Sequence, residues 1–581
     1  MAEHIYPKKI GGRIYYYFQQ TWREKIDPND SGKTRGTGKS RVRTKTTYLG
    51  TAKSIMRRLK ETEGPAKIHH RDFGFVGAIY QTAVEIGLVD ILQRHIPGKR
   101  FGIPCWLYFM LPIINRLQHA TSKEKMGEWA AKTILPDLLR FNSKALNSKS
   151  FWYATDDVIS EKELNIRRQQ DHELNDDLFV GIDDTIFKTI EQELFDNLRE
   201  RFELTGDVLF YDTTNFFTYI EEPVRAKLAR TGHNKDSHHH LRQVGLAMCV
   251  EKEWGIPLFH RLYRGNSQDV KTFTGIVDEL IKCMRCAFGE IEDMALVLDK
   301  GNNSNDNFAA LKDKISWVGS LVPTHCQDLI DLPLPKYEGQ WRDQLYHRVK
   351  QNVMGVDCAV IITYSDKLAR KQKHGINNAI AKLKRQITEK WSEYKRRPKK
   401  VPTGIIRMLK ENRYGKYVAV EYKDQQLVFS QTEELQKRLK RCGKNIIFSN
   451  RLEALSDWIL TQYHSKEKIE DSFKLLKDPE LIRWRPTRHW TDTKIRAFGF
   501  CCVMALVLIR VMERKAAMAG LRMSPAVLRE ELTDLRQVIM IYDDKKARTQ
   551  VSERSSVQQK LWDLFNLGIV ERHLPIHNLK M

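Results

Sequence analysis

Hydrophobic and polar positions alternate through the first twenty residues. Ile14, Tyr16 and Phe18 lie on one side and Gly11-Gly12 sits at the break, which predicts a β-hairpin opening a small β-rich module. From about Asp72 to Leu204 the apolar positions recur at helical spacing with short breaks, as in FVGAIYQTAVEIGLVDILQRHI and WLYFMLPIINRLQ, and predict an all-α domain. Between Asp207 and Pro323 the period changes again. Short β-branched or aromatic runs (VLFYDTT, QVGLAMCV, IPLFHRLYRG, MALVLDKG, SWVGSLVP) are interrupted by one helical stretch, DVKTFTGIVDELIKCMRCAF. Three strands, then helix, strand, helix, strand is an α/β order.

Lys336 to Lys444 reads as a separate unit, with extended runs (CAVIITYS, GKYVAVEYK, QLVFSQ) around a charged helical stretch near Asn377 to Trp391. A final strand, NIIFSN, leads into helices through Lys477, then a strongly apolar helix from Lys494 to Glu513 and a polar helical tail. The boundaries are 1–64, 65–205, 206–335, 336–444, 445–515 and 516–581. No internal repeat is present.

Charge narrows the class of partner. The 97 Lys and Arg outnumber the 73 Asp and Glu by 24, an excess that predicts a polyanion. A hydrophobic fraction of 41% with 12 Trp excludes a wholly disordered tail protein. The most apolar segment, Ala497 to Ile509, is 13 residues long, whereas a bilayer-spanning helix needs ~20, so no membrane association is expected. The N-terminus lacks the apolar core of a signal peptide, and nine cysteines form no regular framework; reducing cytoplasm is the expected compartment. The loop DPNDSGKTRGTGKSRVRTKTTYLG carries Lys33, Arg35, Lys39, Arg41, Arg43 and Lys45 without a core of its own, which suits phosphate contact or plain solvation equally. The run Lys395-Arg396-Arg397-Pro398-Lys399-Lys400 reads as solvated surface.

Two aspartates fall where an apolar strand gives way to polar chain. Asp212 follows VLFY, and Asp299 ends MALVL before the breaker Lys300-Gly301-Asn302-Asn303-Ser304. Each alone is most simply a turn former, but both can face one site if their strands are neighbours. A third acid comes from the stretch Tyr463 to Lys477. At about 100° per residue Tyr463, Lys466, Glu470 and Lys477 share one narrow helical face. An amphipathic surface helix yields such charge pairs as well. Three carboxylates without Cys or imidazole form an oxygen-only donor set, suited to Mg²⁺ or Mn²⁺ rather than zinc. Two such ions about 3.5–4 Å apart support in-line attack on a phosphodiester, and the neighbouring cations hold phosphate.

These residues resemble a family. Tyr463-x2-Lys466-x3-Glu470-x6-Lys477 is similar to the Y-(2)-R-(3)-E-(6)-K signature of the DDE transposases of bacterial insertion sequences, in the insertion-sequence-four superfamily. VLFYDTTNFFTY resembles that family's first-aspartate segment, GHNKDSHHHLRQVGLAM its G-H-S-K-D…Q-V-x-L-x-L stretch, GNSQD its G-N-x-x-D turn and VLDKGNNS its second-aspartate segment, in order from Asn115-Arg116-Leu117 to near Arg510. Lys466 replaces the signature arginine, keeping a point charge but losing bidentate phosphate contact.

The resemblance implies a multidomain α/β protein. A ribonuclease H-like catalytic core (206–335 and 445–515) is interrupted by a β-rich insertion (336–444) and preceded by a β-rich module (1–64) and a helical DNA-binding domain (65–205). It implies that Asp212, Asp299 and Glu470 are catalytic and bind two Mg²⁺ or Mn²⁺ ions, and that Tyr463, Lys466 and Lys477 contact DNA. It further implies cut-and-paste movement of an element by cleavage at its terminal inverted repeats and transfer into target double-stranded DNA. The implied assembly is a homodimer in the synaptic complex, in bacterial cytoplasm at the nucleoid. The 171 residues from Asp299 to Glu470 exceed what a bare α/β core needs and accommodate the insertion; in relatives an inserted Trp stacks on a flipped base, and Trp341 is the nearest candidate. The rivals are a metal-dependent nuclease that does not join ends, and an inactive DNA-binding derivative.

Other groups take plainer readings. Cys283-Met284-Arg285-Cys286 is expected to be a helical core segment, His238-His239-His240 a loop, and Asp236 and Asp269 structural caps.

Overall fold

The structure is a computed structural model. It describes residues 2–25, 40–61, 65–220, 225–232, 240–323, 326–394, 400–424, 426–485, 488–542 and 547–575. Asp236, His238, His239 and Lys395 to Lys399 lie outside the described residues, as does much of the basic loop after Lys25.

The chain divides into two compact units, 1–71 with 536–552 and 575–581, and 72–535 with 553–574. In the first, β1 (Ala2–Ile10), β2 (Arg13–Lys25) and β3 (Ser40–Gly50) form an antiparallel sheet in that order. Gly11 and Gly12, at φ +55° and +80°, make the two-residue turn, where both residues need the left-handed backbone that glycine adopts without strain. A helix, Ala52–Glu61, follows. The next strand of this unit, β4 (Lys67–Asp72), finds its partner near the other end of the chain.

The second unit opens with helices, including Gly74–Glu85, Leu107–Gln118 and Thr185–Phe202, with one minimal hairpin, β5 (Lys99–Arg100) and β6 (Ile103–Pro104), among them. A large mixed sheet follows. β7 (Val208–Thr218), β9 (Arg242–Glu251) and β10 (Pro257–Arg264) form an antiparallel meander, and the short β8 (Arg230–Thr231) pairs with β9. The helix Asp269–Phe288 then crosses over, so that β11 (Ala295–Val297) lies parallel to β7, and β12 (Ser316–Leu321) lies parallel to β11.

Four more strands, β13 (Gly339–Trp341), β14 (Gln344–Val353), β15 (Val356–Tyr364) and β18 (Lys444–Ser449), extend this sheet. Beyond β12 their order is β18-β15-β14-β13. The first strands of the 336–444 stretch are therefore continuous with the core sheet. β15 is buried from Cys358 to Thr363 because it is an interior strand. Only what lies between β15 and β18 has cores of its own. There the helices Asp366–Ser392, Thr403–Glu411 and Glu433–Lys440 pack on the hairpin β16 (Val418–Lys423) and β17 (Gln426–Gln431) around Ile380, Leu383, Ile387 and Ile405.

The apolar run noticed in the sequence is the middle of a 27-residue helix, Asp492–Met518. Among the described residues it is long and apolar enough to cross a bilayer, but 94% of its most apolar window is buried inside the protein, against Leu107–Gln118, Gly74–Glu85 and β10. Its polar start is equally buried. Arg496 contacts Asp184 (2.6 Å), Glu191 (3.0 Å) and the His260 Nε2 (3.0 Å), while Arg261 reaches Glu191 (2.9 Å) and forks onto Glu279. This network joins the helical region to the sheet, where each buried charge needs a partner. The polar tail is not wholly helical: RQVIMI and ARTQV form β19 (Arg536–Ile541) and β20 (Ala547–Val551), and β19 pairs with β4 in the first unit. The consecutive apolar run Val538 to Ile541 in β19 and the alternation in β20 outweigh the polar composition there.

Candidate functional site

Sheet register positions the two aspartates. β7 and β11 pair in parallel from Val208–Ala295 to Phe210–Val297 and no further. Asp212 lies two residues beyond Phe210 and Asp299 two beyond Val297, so the acids stand at one level of neighbouring strands. Asp212 is thus not at a strand end, since β7 runs on to Thr218 against β9. The sheet opens beside it because β11 stops at Val297. Apolar side chains bury β7 before that point, with Val208 to Tyr211 all at most 1% exposed.

The chain after β11 is fixed by amides. Asn307, capped by Ser304, donates to the Asn302 carbonyl at 2.7 Å, and Asn303 donates to the Ser320 carbonyl at 2.9 Å. Asp269, at the start of its helix, accepts from the Thr213 hydroxyl at 2.7 Å. It ties the start of that helix to the strand carrying Asp212 in place of the capping role expected for it, since the cap is Gln268 and no side chain bonds there.

The third acid arrives on the helix Glu467–Lys477. The stretch from Tyr463 is not the one continuous helix that its spacing predicts. Tyr463 lies in the last turn of the helix Ser456–His464, and Ser465 and Lys466 form a turn between the two helices. The Ser465 hydroxyl donates to the Thr461 carbonyl at 2.8 Å and its amide to the Thr461 and Gln462 carbonyls, which satisfies the last turn of the first helix. Lys466, Glu470 and Lys477 therefore share one helical face, and Tyr463 belongs to the preceding helix. The second helix is anchored through Ser472, whose hydroxyl donates to the Gly255 carbonyl at 3.0 Å and accepts from Arg510 at 3.1 Å. Gly255, at φ +68°, is required: a Cβ there would come 2.9 Å from the Ser472 Oγ and 3.1 Å from the Lys468 carbonyl oxygen.

These elements bring the acids together. Asp212, Asp299, Lys466 and Glu470 line one narrow pocket with Phe210, Tyr211, Val297, Leu298 and Ile469; its free space of about 10 Å³ holds roughly one water-sized atom. A wider cleft of about 490 Å³ shares Asp212 and Glu470 and is lined by Thr214, Lys474, Lys477 and Arg485. Lys477 also lies 5.7 Å over the Phe216 ring. Sequence reasoning missed Lys474 and Arg485; the i+4 spacing from Glu470 to Lys474 was the available signal.

Lys466 dominates the electrostatics. Its Nζ is 3.2 Å from Asp299 Oδ1 and 5.0 Å over the Tyr463 ring. Burial pushes the Asp299 carboxyl upward, but Lys466 and then Lys300 prevail and hold it below the usual carboxylate range. Burial likewise lowers Lys466, and Tyr463 with Asp299 outweighs it to leave the ammonium raised. The donor set is all carboxylate oxygen, which fits a hard divalent ion. Among the described residues, however, no three Asp, Glu, His or Cys side chains approach closely enough to hold a metal as they stand. Lys466 supplies the positive charge beside Asp299.

Trp341 is 6% exposed, stacks on His464 at 4.8 Å and donates to Thr461 at 3.3 Å, so it is a packing residue under the helix carrying Tyr463. Cys283 and Cys286 lie on the helix Asp269–Phe288, where Cys283 donates to Gln192 and Cys286 is exposed rather than in the core; all nine cysteines are free thiols.

No family model matches the chain, and no curated protein matches it. Among solved structures, it is similar to the piggyBac transposase in a cryo-EM structure of the synaptic complex with hairpin DNA. The TM-score is 0.38 and the identity 10%, covering 87% of this chain and 80% of that chain. A likeness at that level carries no argument, so function has to be inferred from this chain's own geometry.

Proposed function

We propose that this protein is a DDE-type DNA transposase of the insertion-sequence kind, which binds the ends of a DNA element and cleaves and joins DNA strands with divalent metal. The observation that carries it is the single pocket lined by three carboxylates from distant stretches of chain, Asp212, Asp299 and Glu470. A ribonuclease H-like reading of the core is supported by the three-stranded meander followed by parallel β11 and β12, with the first acid on β7 and the second just past β11.

Asp212, Asp299 and Glu470 would hold Mg²⁺ or Mn²⁺, two ions in the full reading, and metal in such a donor set activates an attacking oxygen and stabilises the leaving one. Lys466 keeps Asp299 ionised, and a bound metal would share that carboxylate with it. Lys474, Lys477 and Arg485 line the adjoining cleft, where they can bind phosphate and orient the strand. Terminal inverted repeats and target duplex are the proposed substrates, and a homodimer on DNA at the nucleoid is the proposed working form. A net charge of +24 supplies non-specific affinity for both.

The test is a strand-transfer assay with a labelled fragment carrying the DNA that flanks this coding sequence, a supercoiled target and Mg²⁺ or Mn²⁺. Joined products that vanish with Asp299→Asn support the proposal. Cleavage without joining would make the protein a nuclease, and cleavage that survives Asp299→Asn would remove the site from the chemistry.

A further inference from the structure

The first unit concentrates charge. Its segments carry 22 Lys and Arg against 8 Asp and Glu, so 14 of the 24 excess positive charges of the whole chain lie there. The three-stranded sheet β1-β2-β3 sorts its residues by face, because side chains alternate along each strand. The register pairs Tyr6 with Tyr17 and Tyr17 with Tyr48, Lys8 with Tyr15, and His4 with Gln19, which pairs in turn with Thr46. These residues share one face, together with Arg13, Thr21, Arg23 and Thr44. From Ala2 to Arg23 and from Val42 to Tyr48 that face carries no carboxylate; Glu3 is on the other, where it accepts from Gln20.

A row of rings crosses all three strands on this face. His4 and Tyr6 are 5.7 Å apart, Tyr6 and Tyr17 5.8 Å and stacked, Tyr17 and Tyr48 5.3 Å, and Tyr48 and Tyr15 5.9 Å. Tyr48 is 52% exposed, and Tyr6, Tyr15 and Tyr17 are half-buried. Cross-strand packing accounts for rings touching one another. It does not account for an aromatic row left partly open to solvent, flanked by Lys8, Arg13 and Arg23, on a face free of acids over those stretches.

We propose that this face binds single-stranded nucleic acid, stacking unpaired bases on the tyrosine row while Lys8, Arg13 and Arg23 hold the phosphates. Every base has a face that can stack on an aromatic ring, and an open sheet of this width offers room for two or three. Gln19, Thr21, Thr44 and Thr46 place donors and acceptors beside them. Duplex is the poorer occupant, since its bases already stack on one another and leave the rings unused. The inference is independent of the carboxylate pocket, which lies in the other unit.

The test uses the full chain in EDTA, so that the outcome does not depend on metal or cleavage. Fluorescence anisotropy compares labelled oligo(dT) with a duplex of equal length. Oligo(dT) binding is expected to weaken roughly fivefold to a hundredfold with Tyr48→Leu, the range set by one lost stack, and to recover with Tyr48→Trp, while duplex binding is expected to hold. Irradiation of the wild-type chain with a 5-iododeoxyuridine strand is expected to cross-link Tyr6, Tyr15, Tyr17 or Tyr48, a readout that needs no variant to fold. Oligo(dT) binding indifferent to Tyr48→Leu, an equal loss of duplex binding in that variant, or cross-links confined elsewhere would overturn the proposal.

Discussion

Asp212 and Asp299 each stand two residues past the last paired positions, Phe210 and Val297, of two neighbouring parallel strands. Equal offsets from a shared register fix their level in the sheet, and the opening begins where β11 ends. Replacing either by Asn keeps the side-chain size and removes the charge. Cleavage by Asp212→Asn or Asp299→Asn is expected to fall by more than about a hundredfold, since loss of a mere outer partner of a metal ligand costs 10–100-fold. Binding to DNA in EDTA is expected to hold. Near-wild-type cleavage by either variant would mean that the pocket is not where the chemistry happens.

Lys466 keeps Asp299 ionised at low pH. The Asp299 carboxyl is depressed, so the ionised form persists as pH falls until the lowered value is crossed. Lys466→Met removes the cation and lets burial push that carboxyl up. The acid limb of the pH–rate profile is then expected to move to higher pH. Lys466→Arg retains the charge and is expected to leave that limb in place. An unmoved limb in Lys466→Met would detach this ion pair from activity.

Gly255 sits under the helix carrying Glu470. Alanine there meets both a left-handed backbone, at a cost of about 1–2 kcal/mol, and the Ser472 hydroxyl. The Gly255→Ala protein is expected to melt at lower temperature and to lose activity further, because Glu470 shifts with its helix. Ser472→Ala combined with it is expected to restore part of the loss, which paired melting curves would reveal.

His260 is 1% exposed, accepts from Arg496, and is held neutral by burial first and by Arg496 and Arg261 next, well below the usual imidazole range. The unfolded chain takes up a proton near pH 6.5 that the folded chain refuses. Stability is therefore complete above that pH and declines below it, by up to about 1.4 kcal/mol per pH unit. Glu191, whose carboxyl burial pushes up, contributes an opposite slope where it titrates. Comparison with His260→Gln isolates the imidazole: thermal melting between pH 7 and 5.5 is expected to fall less steeply in that variant. Parallel slopes would assign the decline to other groups.

Much of this molecule was legible in its residues. Apolar runs ending in Asp212 and Asp299 gave the strands, period-two alternation gave the first hairpin, and the spacing from Lys466 to Glu470 and Lys477 gave the third acid, because each is a local pattern that secondary structure must obey. Other features had no local signature. The break at Ser465 and Lys466 has no glycine or proline to mark it. β13 to β15 looked like a separate unit because sequence carries strand character but not partnership, and only folding decided that β15 and β18 extend the core sheet. The polar tail hid β19, whose pairing with β4 spans most of the chain. The ion pair of Lys466 with Asp299 and the seat of Gly255 beneath Ser472 come from residues distant in the chain brought to contact by register and packing, which no local pattern encodes.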